Sequence, residues 1–202
     1  MRAHLIIAIT FSSVIAAAAD LIPNASFENP GFNDPDPFII VPAGNYITGW
    51  TVGGAGVDYF SNLSNALFAS EGQYSVNYIR GPGDVSSIST TITGLTAGVA
   101  YDVSVDFFQR DPGATNALTA TVDFTSLTFI NNTSDVWQTR DLNFIAGGPT
   151  ATLTFSGPSQ GAVDSVYAHI DNVRIAAVPE PSTYVLLGIA ALVVARTKKL
   201  RR

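Results

Sequence analysis

Along residues 101–107 apolar and polar side chains alternate without a break, as Tyr-Asp-Val-Ser-Val-Asp-Phe. A period of two sends successive side chains to opposite faces, which marks a strand with one face buried. Residues 150–155 repeat the pattern. Less regular versions predict strands over residues 73–78, 85–92, 117–124, 127–130, 136–145 and 166–175. Turn signals lie between them, such as Gly81-Pro82-Gly83-Asp84, Asp111-Pro112-Gly113 and Gly147-Gly148-Pro149. Residues 32–46 break the rhythm with Asp34-Pro35-Asp36-Pro37 and Pro42-Ala43-Gly44. Repeated X-Pro steps favour an extended path. They predict one long surface loop between a first strand and a strand near Trp50. No amphipathic helical period interrupts the strands. Many short strands with regular turns predict an all-β sandwich.

Composition narrows the chemistry. The chain has 202 residues and no cysteine, so disulfides, thiolate metal sites and cysteine nucleophiles are excluded. Two histidines leave little for a histidine-built zinc site. Residues 20–177 form one domain-sized segment. It carries four arginines and no lysine against fifteen carboxylates, a formal charge of −11. Such a segment repels phosphate backbones, so no nucleic-acid partner is expected. Thirty of its residues are Ser or Thr, which suits exposed strand faces.

The two ends read as addresses. Met1-Arg2-Ala3-His4 is a short basic start, residues 5–16 are apolar, and Ala17-Ala18-Ala19 supplies small residues before Asp20. This is the three-part pattern of a secretory signal peptide over residues 1–19, cleaved between Ala19 and Asp20. At the other end, residues 178–202 hold Pro179-Glu180-Pro181, twelve apolar residues over 184–195, and five basic residues in the last seven positions. Twelve helical residues span about 18 Å, and snorkelling by Arg196 and Lys198 extends that reach. The sequence predicts a short transmembrane helix with its basic end in the cytoplasm and the main domain outside.

Pro179, Glu180 and Pro181, followed by the apolar run and the basic cluster, resemble the PEP-CTERM sorting signal of Gram-negative bacteria. The same short segment is also catalogued as an "ice-binding protein C-terminal domain", a label that refers to the tail alone. The resemblance implies processing by an exosortase-type membrane transpeptidase. It also implies transient anchoring through the C-terminal helix, then a place at the cell surface or in the exopolysaccharide matrix.

A second resemblance runs through the middle. Its residues are Asn24-Ala25-Ser26-Phe27-Glu28, Gly49-Trp50-Thr51-Val52, Val57-Asp58-Tyr59, Glu71-Gly72-Gln73-Tyr74-Ser75-Val76, Gly94-Leu95-Thr96-Ala97-Gly98, Trp137 and His169-Ile170-Asp171-Asn172-Val173. In this order they resemble the choice-of-anchor C domain, related to the DUF642 family of plant cell-wall proteins. That implies a galactose-binding-like jelly roll, a fold shared by several carbohydrate-binding modules and by many functions.

Asp171 is the most informative acid. On a regular strand it shares a face with Tyr167, Val173 and Ile175, which is expected to point inward. A buried carboxylate costs several kcal/mol unless a cation or strong donors meet it. In the carbohydrate-binding modules that the chain resembles, a Glu after Asn-x-x-Phe and an Asp near the last strand help hold a structural Ca²⁺. Glu28 and Asp171 match those positions, and oxygen ligands suit calcium. The alternative is that both accept backbone hydrogen bonds at the sheet edges. Trp50 and Trp137 read either as sugar-stacking platforms or as core and rim aromatics. Tyr46, Tyr59, Phe60 and Phe68 lie in or near expected loops and are further candidate contacts. His169 reads as a strand histidine hydrogen-bonded in place.

No Gly-x-Ser-x-Gly elbow or His-Glu-x-x-His occurs, and no spacing singles out a carboxylate pair. The expectation is a non-enzymatic, exported protein that binds polysaccharide. Its rivals are a structural coat or adhesion protein without glycan affinity and a polysaccharide-acting enzyme.

Overall fold

The computed structural model describes residues 21–32, 38–63, 66–77, 85–110, 117–130, 133, 135–157 and 168–179. The expected signal peptide, its Ala19–Asp20 junction, Glu180, Pro181 and the apolar tail lie outside them. Among the described residues no helix is long and apolar enough to cross a membrane.

Among the described residues twelve strands form two antiparallel six-stranded sheets. Sheet A runs in the order β1(Phe38–Val41), β4(Val57–Ser61), β5(Tyr74–Asn77), β12(Ala168–Ala177), β7(Ala100–Gln109), β10(Gln138–Ile145). Sheet B runs β2(Gly44–Ile47), β3(Trp50–Gly54), β6(Ser86–Thr93), β11(Thr150–Ser156), β8(Leu118–Val122), β9(Thr125–Phe129). This is a jelly-roll sandwich. Its core lies between the sheets, from inward positions such as Tyr59, Val76, Phe107 and Ile170 on sheet A and Ile88, Leu153 and Phe155 on sheet B. The alternation of β7 is realised as predicted, with Tyr101, Val103, Val105 and Phe107 buried and Asp102, Ser104 and Asp106 on the other face.

Three expectations are corrected. Residues 32–46 are not one long loop, because Phe38–Val41 and Gly44–Ile47 pair as edge strands of opposite sheets. The apolar Phe-Ile-Ile-Val run forms its ladder immediately after the prolines, where a missing N–H costs an edge strand least. Nor does a strand form among the described residues before it. Asn24 and Phe27 have positive φ, and the Asn24 side chain binds the backbone of Asn29 and Thr48, fixing a turn instead. Finally, Tyr59 and Phe60 belong to β4 and are buried, so neither is a loop contact. Tyr59 Oη donates to the Phe27 carbonyl.

Asp171 also departs from the regular-strand reading. A register shift separates Asp171 from Arg174, and Asn172 adopts a φ of 48°. A bulge of this kind adds a residue and re-aims the side chains beyond it. Ile170 therefore pairs with Phe107 on the core side, while Asp171 pairs with Asp106 on the outer side of sheet A. Tyr167 lies outside the described residues.

Candidate functional site

The two outer faces differ in chemistry. On sheet B the outward positions of β3, β6, β11 and β8 carry hydroxyls, including Thr51, Ser89, Thr91, Thr121, Thr152 and Thr154. This is a solvated hydroxyl surface. The outer face of sheet A holds acids, amides, one arginine and a cluster of rings.

One end of that face is roofed by the segment between β4 and β5. Phe68 stacks on His169 with centroids 5.2 Å apart, and Phe60, Phe108 and Trp137 complete an aromatic enclosure. His169 is fully buried, with Ser75 Oγ 2.9 Å from its Nδ1. Burial among rings lowers its pKa to about 3. This is the expected strand histidine, hydrogen-bonded in place, and burial favours its neutral form.

The roof is fastened by carboxylates. Asp171 Oδ2 accepts the Ser70 N–H at 2.8 Å and the Glu71 N–H at 2.9 Å, while Oδ1 accepts the Asn172 N–H at 2.6 Å. Burial pushes Asp171 up to about 7, against the downward pull of those backbone donors. Glu28 accepts the N–H groups of Gln73 and Tyr74, at 2.9 and 3.0 Å. Its carboxylate lies so close to Gly72, at φ +62°, that a Cβ there would meet it at 2.4 Å. The structure thus brings Glu28 and Asp171 to the same segment, residues 70–74, as hydrogen-bond acceptors. Calcium needs oxygens turned toward the ion, whereas here N–H groups face both carboxylates. Among the described residues no group of three or more acidic or histidine side chains is placed to hold a metal. As arranged, both carboxylates act as acceptors for backbone N–H groups, the alternative role expected for them. Chelator is expected to leave the melting temperature unchanged; a fall in EDTA that calcium reverses would restore the metal reading.

Beyond the roof the face opens into a polar shelf. Asp106 is its centre. Arg174 Nη2 lies 2.9 Å from Asp106 Oδ1, and Thr139 Oγ1 donates to the same oxygen at 2.8 Å. Asn172 Nδ2 and Ser70 Oγ reach Oδ2, both at 3.1 Å. Burial alone would raise Asp106, but the donors from Arg174, Thr139 and Ser70 outweigh it and hold the carboxyl below its ordinary value. Ser70 Oγ also lies 3.1 Å from Asp171 Oδ2, yet one hydroxyl proton serves only one of the two acids at a time. Further along, burial first and the neighbouring Asp141 charge second raise Asp102. Asp102 Oδ1 is enclosed and has no hydrogen-bond partner among the described residues.

Trp137 stands where shelf meets roof. It is half-buried, packs on Phe108 at 5.4 Å, and donates Nε1–H to the Leu67 carbonyl at 2.9 Å. Trp50 is core, with Nε1–H bound to the Asn24 carbonyl. Tyr46 is exposed on edge strand β2, and Phe68 is half-buried in the roof. The shelf acids Asp102, Asp106 and Asp141 were not singled out from sequence. The alternation along residues 101–107 placed the first two outward, but nothing in it marked a site.

The profile of a family described as protein of unknown function, DUF642, matches residues 20–176. A PEP-CTERM protein-sorting motif matches residues 177–202. No curated protein matches the chain. Among solved structures the chain is similar to TmCBM61 in complex with beta-1,4-galactotriose, at 18% identity over 77% of this chain and 96% of that one, with a TM-score of 0.56. It is also similar to a structure described as "CBM4 structure and function", at 18% identity over 78% and 99%, TM-score 0.46. A third is the CBM22-1 xylan-binding domain from Paenibacillus barcinonensis Xyn10C, at 14% identity over 71% and 97%, TM-score 0.45. At these identities the likeness concerns the fold.

Proposed function

The chain belongs to the DUF642 family, and we propose that it is an exported, non-catalytic surface protein that holds neutral polysaccharide on the outer face of sheet A. The observation that carries this reading is the shelf itself, where Trp137 adjoins the Asp106–Arg174 network. A ring face takes the apolar face of a sugar, while fixed carboxylates, amides and a guanidinium take its hydroxyls. A domain of formal charge −11 draws nothing from ionic attraction to acidic polymers, so stacking and hydrogen bonding supply the affinity. The sorting motif supports delivery: an exosortase-type enzyme processes the tail near Pro179, Glu180 and Pro181, leaving the domain at the cell surface or in the exopolysaccharide matrix.

Affinity electrophoresis tests the binding. Wild type is expected to be retarded by a neutral polysaccharide, with β-1,4-galactan as the first probe because the TmCBM61 structure holds a galactotriose. Trp137→Ala should weaken retention roughly tenfold, equivalent to about 1.4 kcal/mol. No retardation of wild type by any neutral or acidic polysaccharide in the panel would favour a coat or adhesion role without glycan affinity.

A further inference from the structure

Sheet pairing gathers one set of termini and turns at a single end of the sandwich. Ala177 of β12 pairs with Tyr101 at the start of β7, and Ile145 of β10 pairs with Ala100. Thr150 of β11 pairs with Thr93 of β6, whose N–H binds the Leu21 carbonyl. The β8–β9 turn, Asp123-Phe124, lies beside Thr152 through a backbone bond. Hence Leu21, the β6–β7, β8–β9 and β10–β11 connections, and the exit of β12 toward the sorting tail all share this end.

Its surface combines exposed apolar side chains with few charges. Phe124 is fully exposed at 104%, Ile145 at 72% and Val178 at 37%. Gly147 and Gly148 have open space where a Cβ would stand. Over residues 21–23, 94–98, 123–124, 145–150 and 176–179 the only charged side chain is Asp123. Its Oδ1 accepts the Thr152 N–H, so it serves the turn. Asp102, paired with Ala176, and Asp20, next in sequence to Leu21, border these residues, so the end is poor in charge rather than free of it.

The five residues from Glu180 to Tyr184 lead from Pro179 to the start of the apolar tail. Fully extended they reach about 17 Å. Anchoring by the tail therefore holds this end against a bilayer at high effective concentration. Anionic headgroups repel the acidic body, so only the charge-poor end can approach closely. We infer that, in the anchored precursor, this end of the sandwich seats on the lipid surface, with Phe124 and Ile145 entering the headgroup boundary beside the sorting motif. The inference rests on the reading of the tail as a membrane anchor.

The absence of cysteine makes the test single-sited by construction. Full-length chain carrying Phe124→Cys, labelled with bimane, is reconstituted into phosphatidylcholine–phosphatidylglycerol vesicles containing nitroxide-labelled phosphatidylcholine. A side chain seated about 5–10 Å into the boundary is within reach of such a quencher. The label is expected to lose most of its emission. The same label on Val85→Cys, at the far end of β6, is expected to keep it. A label on Ala97→Cys should be quenched too, and Phe124→Ser with Ile145→Ser should release it. Chain that floats with the vesicles while the Phe124 label stays unquenched overturns the seat and leaves the anchor standing. Chain that fails to float overturns both. A blue shift without quenching would assign the patch to a second copy of the chain and equally overturn the lipid assignment.

Discussion

Asp171→Ala is expected to destabilise the domain by about 4 kcal/mol. The carboxylate is fully buried and accepts the backbone N–H groups of Ser70, Glu71 and Asn172. Alanine leaves those donors without an acceptor, and each unsatisfied buried N–H costs about 1–3 kcal/mol. Water entering the vacated space recovers part of that. For a domain of this size about 2–4 °C of melting temperature accompanies each kcal/mol, so the midpoint should fall by roughly 8–16 °C. Asp171→Asn keeps the shape and one acceptor oxygen, and should fall less. The loss has a functional consequence as well. The segment that Asp171 holds carries Phe68 over His169, Leu67 under Trp137 and Ser70 against Asp106. Glycan retention should therefore weaken in Asp171→Ala even at temperatures where the variant is folded. A melting temperature within about 2 °C of wild type, less than the shift expected for 1 kcal/mol, would mean that the roof does not depend on this acid.

The sequence was most legible where one face of a strand is buried and the other wet. Residues 101–107 and 150–155 alternate because sheet neighbours cover one side only. β4 escaped that reading because both of its faces are covered. Tyr59 enters the core, and Phe60 is capped on the outside by Phe68 from the segment that follows. Coverage by a loop is a tertiary event that no local period records. β1 and β2 were hidden by the prolines beside them, which argue against a central strand but not against an edge. Asp171 shows a third kind of failure. Alternation carried past Asn172 puts the acid in the core, and the bulge there reverses the assignment. Glu28 and Asp171 were legible as a pair, yet their partners are backbone N–H groups, which every residue except proline owns and no motif announces. Of the shelf, the sequence offered Trp137 as one of several aromatics. Its neighbours Asp106 and Arg174 come from strands distant along the chain, and only the order β12-β7-β10 brings them together.

The same strand carries a buried base and a buried acid two residues apart, and their linkages to pH oppose each other. His169 has a folded pKa of about 3 against an ordinary 6.5, so the folded state refuses a proton that the unfolded chain accepts. Its contribution is intact above about pH 6.5 and is lost as pH falls toward 3, at about 1.4 kcal/mol per unit. Asp171 has a folded pKa of about 7 against 3.8, so the folded state holds a proton that the unfolded chain has released. Its contribution grows as pH falls from 7 to about 4 and is absent at alkaline pH. Between about pH 4 and 6.5 the slopes nearly cancel, and wild type should show a plateau in its urea midpoint. Either variant should expose the other residue. Asp171→Asn leaves His169 alone, so stability should drop on acidification from pH 6.5 to 4.5 by roughly 2–3 kcal/mol. His169→Gln leaves Asp171 alone, so stability should rise by a similar amount over the same range. Asp102, held above its ordinary value, and Asp106, held below it, pull in opposite directions. Urea titrations at pH 7.5, 6.5, 5.5 and 4.5 read all three profiles. Parallel curves for wild type and both variants would show that neither group is titrated out of its ordinary range by folding.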